Sequence, residues 1–143
     1  AVNEKLKEFQ ISRESILERS FLDEAVRAVD LSKVSKEPFL MLKKNQDSYK
    51  RSMDICAHAG FEPKVIMYWD QLQTAYNVAR SGQSGIIFFR DALLKYIEKT
   101  EKLCYYKIGD PLAKRAILLS MKRYPGVGAT VDDFIKYILL AKK

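Results

Sequence analysis

The chain has 143 residues, 48% of them apolar, and 25 basic against 18 acidic side chains leave a net charge of +7. That is one domain's length with an ordinary core composition, which excludes disordered and collagenous classes. Apolar runs such as residues 85–89 (GIIFF) and 138–141 (ILLA) fall far short of the roughly 20 residues a membrane span needs, so no membrane partner is expected.

At the start of the chain Glu4, Lys5, Lys7 and Glu8 interrupt any apolar run, which argues against a signal peptide and for a cytoplasmic protein. The basic surplus is uneven: residues 95–123 hold eight basic and three acidic residues, whereas residues 61–94 balance three against three. With no aromatic interleaving and no recognition-helix pattern, the surplus reads as a solvated face and not as a DNA surface. Cys56 and Cys104 lack CxxC spacing and read as small buried thiols in a reducing compartment, with one disulfide left open as an alternative.

Residues 3–9 (NEKLKEF) predict a short charged helix anchored by Leu6 and Phe9, and Ile16, Leu17, Phe21, Leu22, Ala25 and Val26 suit a second one. Asp30 can cap the single turn Leu31–Val34. Pro38, with φ fixed and no N–H to donate, suits the start of a strand over residues 39–42 (FLML). A polar turn over residues 43–48 leads to a helix over residues 47–59, where Tyr49, Met53, Cys56 and Ala59 or Gly60 keep helical spacing and Gly60 ends it.

Residues 64–68 (KVIMY) read as a buried strand. Leu72, Ala75, Tyr76 and Ala79 then form one stripe of a helix, with Asp70 accepting N–H groups of its first turn, Gln73 reaching back, and Gly82 supplying a left-handed stop. Residues 85–89 are a wholly apolar strand, which implies a parallel sheet covered on both faces. Two linked crossovers give three parallel strands in the order 2-1-3 or 1-2-3. Residues 92–97 suit a short helix, 98–102 a charged loop, 104–108 a fourth strand closed by Gly109-Asp110-Pro111, and 116–121 (AILLSM) a buried strand with basic ends. After the break at Tyr124-Pro125-Gly126-Val127-Gly128, Thr130 and Asp133 form a capping box for a final helix with Val131, Phe134, Ile135, Ile138 and Leu139 on its apolar face.

Open parallel sheets bind ligands at the carboxyl ends of their strands, beside helix N-termini whose partial positive charge favours anions. The candidates are therefore Asn45, Gln46 and Ser48 at one helix start, Trp69, Asp70 and Gln71 at the next, and Arg90 at the end of the third strand. Each has a competing role. Asp70 suits a helix cap better than a ligand contact, Trp69 suits core packing as well as an aromatic wall, and Arg90 has Asp91 beside it as a salt-bridge partner. Lys43 and Lys44 put one side chain in solvent and one toward the cleft. His58, the only histidine, precedes Gly60, where imidazoles interact with terminal helix carbonyls. No nucleophile has a base assigned by motif and no ligand spacing points to a metal, so the expectation is a binding protein with no enzymatic activity, cofactor or metal.

Taken together, VDLSKVSKEPFLML (29–42), HAGFEPKVIMYWDQLQTAYNVARSGQSGI (58–86) and YYKIGDPLAKRAILLSMKR (105–123) resemble the effector-binding half of LysR-type transcriptional regulators, and TVDDFIKYI (130–138) is similar to that family's last helix. The resemblance implies an α/β, type II periplasmic-binding-protein-like lobe, a parallel sheet flanked by helices. It divides the chain into an N-terminal segment (1–28), a second lobe (29–108) and a returning strand with C-terminal helix (109–143). It further implies a small-molecule effector held between two lobes, a homodimer or higher oligomer, and contact with DNA only through an N-terminal domain absent from this chain. Two departures fall near the ligand: the family's G-x-G-I turn stands here as Gln83-Ser84-Gly85-Ile86 with a glycine displaced to Gly82, and Arg90 replaces the proline that usually ends the strand. A solute-binding protein of a transport system, with the same architecture, is the alternative expectation. The apolar face of the last helix, deprived of a first lobe, is expected to fold back on this lobe or swap into another copy.

Overall fold

The computed structural model describes residue 4, residues 6–82 and 85–114, and residues 133, 134, 136, 137 and 140. Within them the order is β1 (Gln10–Ile11), α1 (Arg13–Leu17), β2 (Pro38–Leu42), α2 (Asp47–His58), β3 (Lys64–Trp69), α3 (Leu72–Arg80) and β4 (Tyr105–Tyr106), with 3-10 turns at Lys7–Phe9, Ser20–Leu22, Leu31–Val34, Asp91–Tyr96 and Pro111–Ala113. The fold is mixed α/β with small sheets, one of them a parallel pair.

The parallel pair is β2 and β3, with Pro38 opposite Lys64, Leu42 opposite Trp69 and an irregularity between Phe39 and Leu40. On the other side of β2 lies the segment expected as the third strand. It makes one parallel bridge, Phe39 to Ile86, in which the Ile86 N–H donates to the Pro38 carbonyl at 2.8 Å and the Leu40 N–H to the Ile86 carbonyl at 2.9 Å. The spatial order is therefore second, first, third, which settles the choice the sequence left open. Close approach at this bridge requires Gly85, because a Cβ there would lie 2.9 Å from Leu40 Cγ. Beyond the bridge the expected strand is held by packing and not by a ladder: Ile86 and Phe88 go to one hydrophobic cluster, Ile87 and Phe89 to the other.

The first cluster holds Leu6, Phe9, Val29, Val34, Phe39, Met41 and Cys56, and the second Ile16, Tyr76, Leu94, Ile97 and Tyr105. β2 is buried on both faces, with Phe39, Leu40 and Met41 at 0%, 2% and 4% exposure. β3 is not: Lys64, Ile66 and Tyr68 face solvent. The expectation of a sheet covered on both faces fails at β3, whose alternate side chains are exposed; among the described residues it pairs with β2 alone.

Of the helix expected over residues 3–9, Glu4 is helical and Lys7–Phe9 is a 3-10 turn among the described residues. Its anchors Leu6 and Phe9 nevertheless pack in the first cluster. α1 is capped by the Ser12 side chain accepting from the Ser15 N–H and ends by Arg19, whose φ is +64°. The second expected helix thus breaks before Phe21, without the Gly or Pro that would have announced it. Residues 92–97 are likewise a 3-10 turn and not an α-helix. The expected fourth strand does not join the parallel sheet: β4 pairs antiparallel with β1, and Ile108 bridges Val29. The strand expected over residues 116–121 lies outside the described residues, whereas Asp133, Phe134, Lys136, Tyr137 and Leu140 are helical as expected. No helix among the described residues is long and apolar enough to cross a membrane.

Candidate functional site at the carboxyl rim of the parallel strands

Parallel β2 and β3 end side by side, where the Lys43 N–H donates to the Trp69 carbonyl at 2.9 Å. Each strand is followed by a helix, so the starts of α2 and α3 share that rim. Gln46 is the N-cap of α2 and Gln71 that of α3, and neither makes a side-chain capping bond. The N–H groups of both first turns therefore lack a partner from their cap side chain; at α2 the Asp47 carboxylate in the first turn meets part of the positive partial charge, whereas the first turn of α3 has no acidic residue and leaves its charge to water or an anion. Gln46 instead turns sideways, its Nε2 donating to the Asp70 carbonyl at 2.8 Å, and so ties the two helix starts together.

Asp70 does not cap α3, and the capping box with Gln73 does not form. Its carboxylate is held by Lys43 Nζ at 2.8 Å, because the ammonium at the end of the neighbouring strand competes well with main-chain N–H groups. The pair neutralises a charge that would have repelled an anion. Lys44 Nζ sits 5.9 Å from the Tyr68 ring centroid, and that ring packs against Tyr49 at 6.1 Å. Trp69 is half-buried, with its indole Nε1 shielded from solvent and without a hydrogen-bond partner. Asn45 and Gln71 are exposed.

Ser48 faces a cavity of about 20 Å³ whose walls include Leu42, Ser52, Leu72 and Phe88, and the Ser52 hydroxyl donates to the Ser48 carbonyl at 2.8 Å. That is room for about one water molecule. Among the described residues the rim is thus a ledge, with no metabolite-sized cavity beside Ser48. Arg90 stands exposed at the end of the neighbouring segment, just before the turn Asp91–Tyr96, and no hydrogen bond or ion pair among the described residues joins it to the other six candidates. Its expected rival partner is engaged elsewhere: the Asp91 carboxylate accepts from the Ala92 N–H at 2.9 Å.

Three long-range arrangements had no local signal in the sequence. Lys43 with Asp70 is the first. The second is a polar knot in the second cluster, where the hydroxyls of Tyr76 and Tyr105 meet at 2.8 Å beside Arg13, whose Nη2 donates to the carbonyls of Leu94 and Ile97 at 2.6 and 2.8 Å. Burial and the Tyr76 hydroxyl push the Tyr105 phenol well up, which the adjacent guanidinium only partly offsets. Arg13 Nη1 is shielded from solvent without a bond of good geometry. In the third, His58 does not turn to the terminal carbonyls of its helix; its Nδ1 lies 2.9 Å from Asp110 Oδ2. The other carboxylate oxygen accepts from the Leu112 N–H at 2.7 Å, and this bond, aided by His58, holds the Asp110 carboxyl below its ordinary range.

The chemistry open to the rim is recognition of a small anion by N–H groups and lysines. Burial pushes the Cys56 thiol up to about 11, so it is protonated at neutral pH, and Cys56 and Cys104 are both free. Among the described residues no group of three His, Cys, Asp or Glu side chains could hold a metal. No protein-family model, curated protein or solved structure matches the chain.

Proposed function

We propose that the chain is the second, type II periplasmic-binding-protein-like lobe of the effector-sensing region of a LysR-type transcription regulator, and that its carboxyl rim contacts a small acidic metabolite. The reading is carried by one observation: two helix starts without side-chain caps converge on a rim whose carboxylate Asp70 is already neutralised by Lys43. A ledge of this kind makes half a site. The effector is then gripped when a first lobe closes over it, and contacts made only in the closed form shift the population between lobe arrangements. DNA is reached through an N-terminal domain outside this chain.

Amide chemical shifts test the reading on the chain itself. Titration with a small dicarboxylate such as succinate should move the Ser48 and Leu72 resonances saturably, and the uncharged diamide of the same length should not move them. Equal responses to both, or shifts confined to other parts of the chain, would contradict it.

A further inference from the structure

At the end of the sheet opposite the rim, α2 stops at Gly60 and the chain turns through Pro63 into β3. An open hollow of about 470 Å³ lies there, within the range of about 300–1,000 Å³ that small-molecule sites occupy. Met53, Ala57, Phe61 and Pro63 give it an apolar floor, and Asp54 and Glu62 flank it. The floor is firm, because Pro63 is buried and the Phe61 ring rests against the fully buried Phe39 at 5.9 Å. Gly60, at φ +84°, has nothing within 4 Å of where a Cβ would sit, so the mouth is unobstructed.

The hollow is electronegative in a chain whose net charge is +7. Neither Asp54 nor Glu62 has a hydrogen-bond or ion-pair partner among the described residues. Lys50, Arg51 and His58 lie within about a turn of Asp54 on α2, and none answers it. Arg51 is taken by Asp47 at 3.6 Å and by the Leu112 carbonyl at 3.0 Å, His58 by Asp110 at 2.9 Å, and Lys50 stays in solvent. The carbonyl end of α2 adds partial negative charge. At a site this open neither an ion pair nor a small apolar contact alone gives much, so the two features together favour a cation that carries an apolar body.

We propose that this hollow binds a small organic cation of the arylalkylamine class, with its ring on Met53, Phe61 and Pro63 and its ammonium turned to Asp54 and Glu62. The Met53 thioether and the Phe61 ring both make favourable contacts with an aromatic ring, which selects an aryl body. The carboxylates orient the amine and make its binding fall with added salt. The site lies at the other end of the sheet from the rim and is independent of the anion reading there.

Titration of the full chain with phenethylammonium at constant ionic strength tests it, read from the Met53 and Ala57 methyl resonances and the Gly60 amide. These should move saturably with a Kd of about 1 mM or tighter, as befits so small a ligand, while the Ser48 and Leu72 amides stay in place. Ethylammonium, which lacks the ring, and phenethyl alcohol, which lacks the charge, should each bind at least about tenfold more weakly. Asp54→Asn with Glu62→Gln keeps the shape and removes the charge; it should weaken phenethylammonium about tenfold and leave phenethyl alcohol unchanged. Ala57→Arg puts a long cationic side chain over the hollow from an exposed helix position, where arginine is a good helix former, and should abolish binding. Circular dichroism shows that both variants keep the fold. No saturation, equal affinity for phenethylammonium and either comparator, shifts centred elsewhere, or binding untouched by either variant would each overturn the proposal.

Discussion

The two parallel strands are similar in composition and opposite in fate. β2 (PFLML) is closed on both faces, while β3 (KVIMYW) alternates between exposed and half-buried positions. What separates them is place in the sheet: among the described residues β2 has a neighbour on each side, and β3 has β2 alone. Apolar content therefore marks both as strands without telling centre from edge. The same position leaves the end of β3 free to display Trp69 and Asp70 at the rim.

The contrast is broken most severely at the centre. Phe39→Ala empties a fully buried site in contact with Phe61 and Phe88 and should lower stability by about 3–5 kcal/mol in denaturant unfolding. Ile66→Ala, on the exposed face of β3, should change it by less than about 1 kcal/mol, within the range of surface substitutions. Equal losses would remove the distinction between centre and edge. Gly85→Ala comes next, at about 1–3 kcal/mol, because the new methyl presses on the buried Leu40 side chain. A variant as stable as the wild type would show that the segment is not seated tightly against β2.

Tyr76→Phe leaves the Tyr105 hydroxyl without its buried partner and should cost about 1–3 kcal/mol, with the Tyr105 phenol titrating lower as one raising influence is lost. Smallest is Lys43→Ala, about 0–1 kcal/mol for an exposed pair; its effect should fall on anion binding at the rim.

The pH dependence has a definite sign. Asp110 titrates lower in the folded chain than its ordinary value, chiefly through the Leu112 N–H. Its contribution is thus full at neutral pH and lost as pH falls below about 4, through the folded value. Thermal melts between neutral and acid pH should show this loss in the wild type and a shallower acid limb in Asp110→Asn.

Local pattern made the central unit legible. Periodicity located β2, α2, β3 and α3, and the left-handed stops at Gly60 and Gly82 hold at φ +84° and +104°. Six of the seven candidate site residues do gather where two strands end and two helices begin, because parallel crossovers place them there. The rest depended on distance in sequence. Nothing near Asp70 announces Lys43 across the sheet, nothing near His58 announces Asp110 fifty-two residues away, and β4 could not be assigned to β1 before the N-terminal segment was placed. Arg19 ended a helix with a positive φ that its residue type does not advertise.

Trp69, the chain's only tryptophan, sits at the rim and would report directly on a small anion bound there. Its emission should be followed during titration with succinate at constant ionic strength, alongside a sodium chloride control. If the rim binds an anion, a saturable spectral shift is expected that weakens in Lys43→Ala and is absent from the control. Emission that follows the control throughout would contradict it.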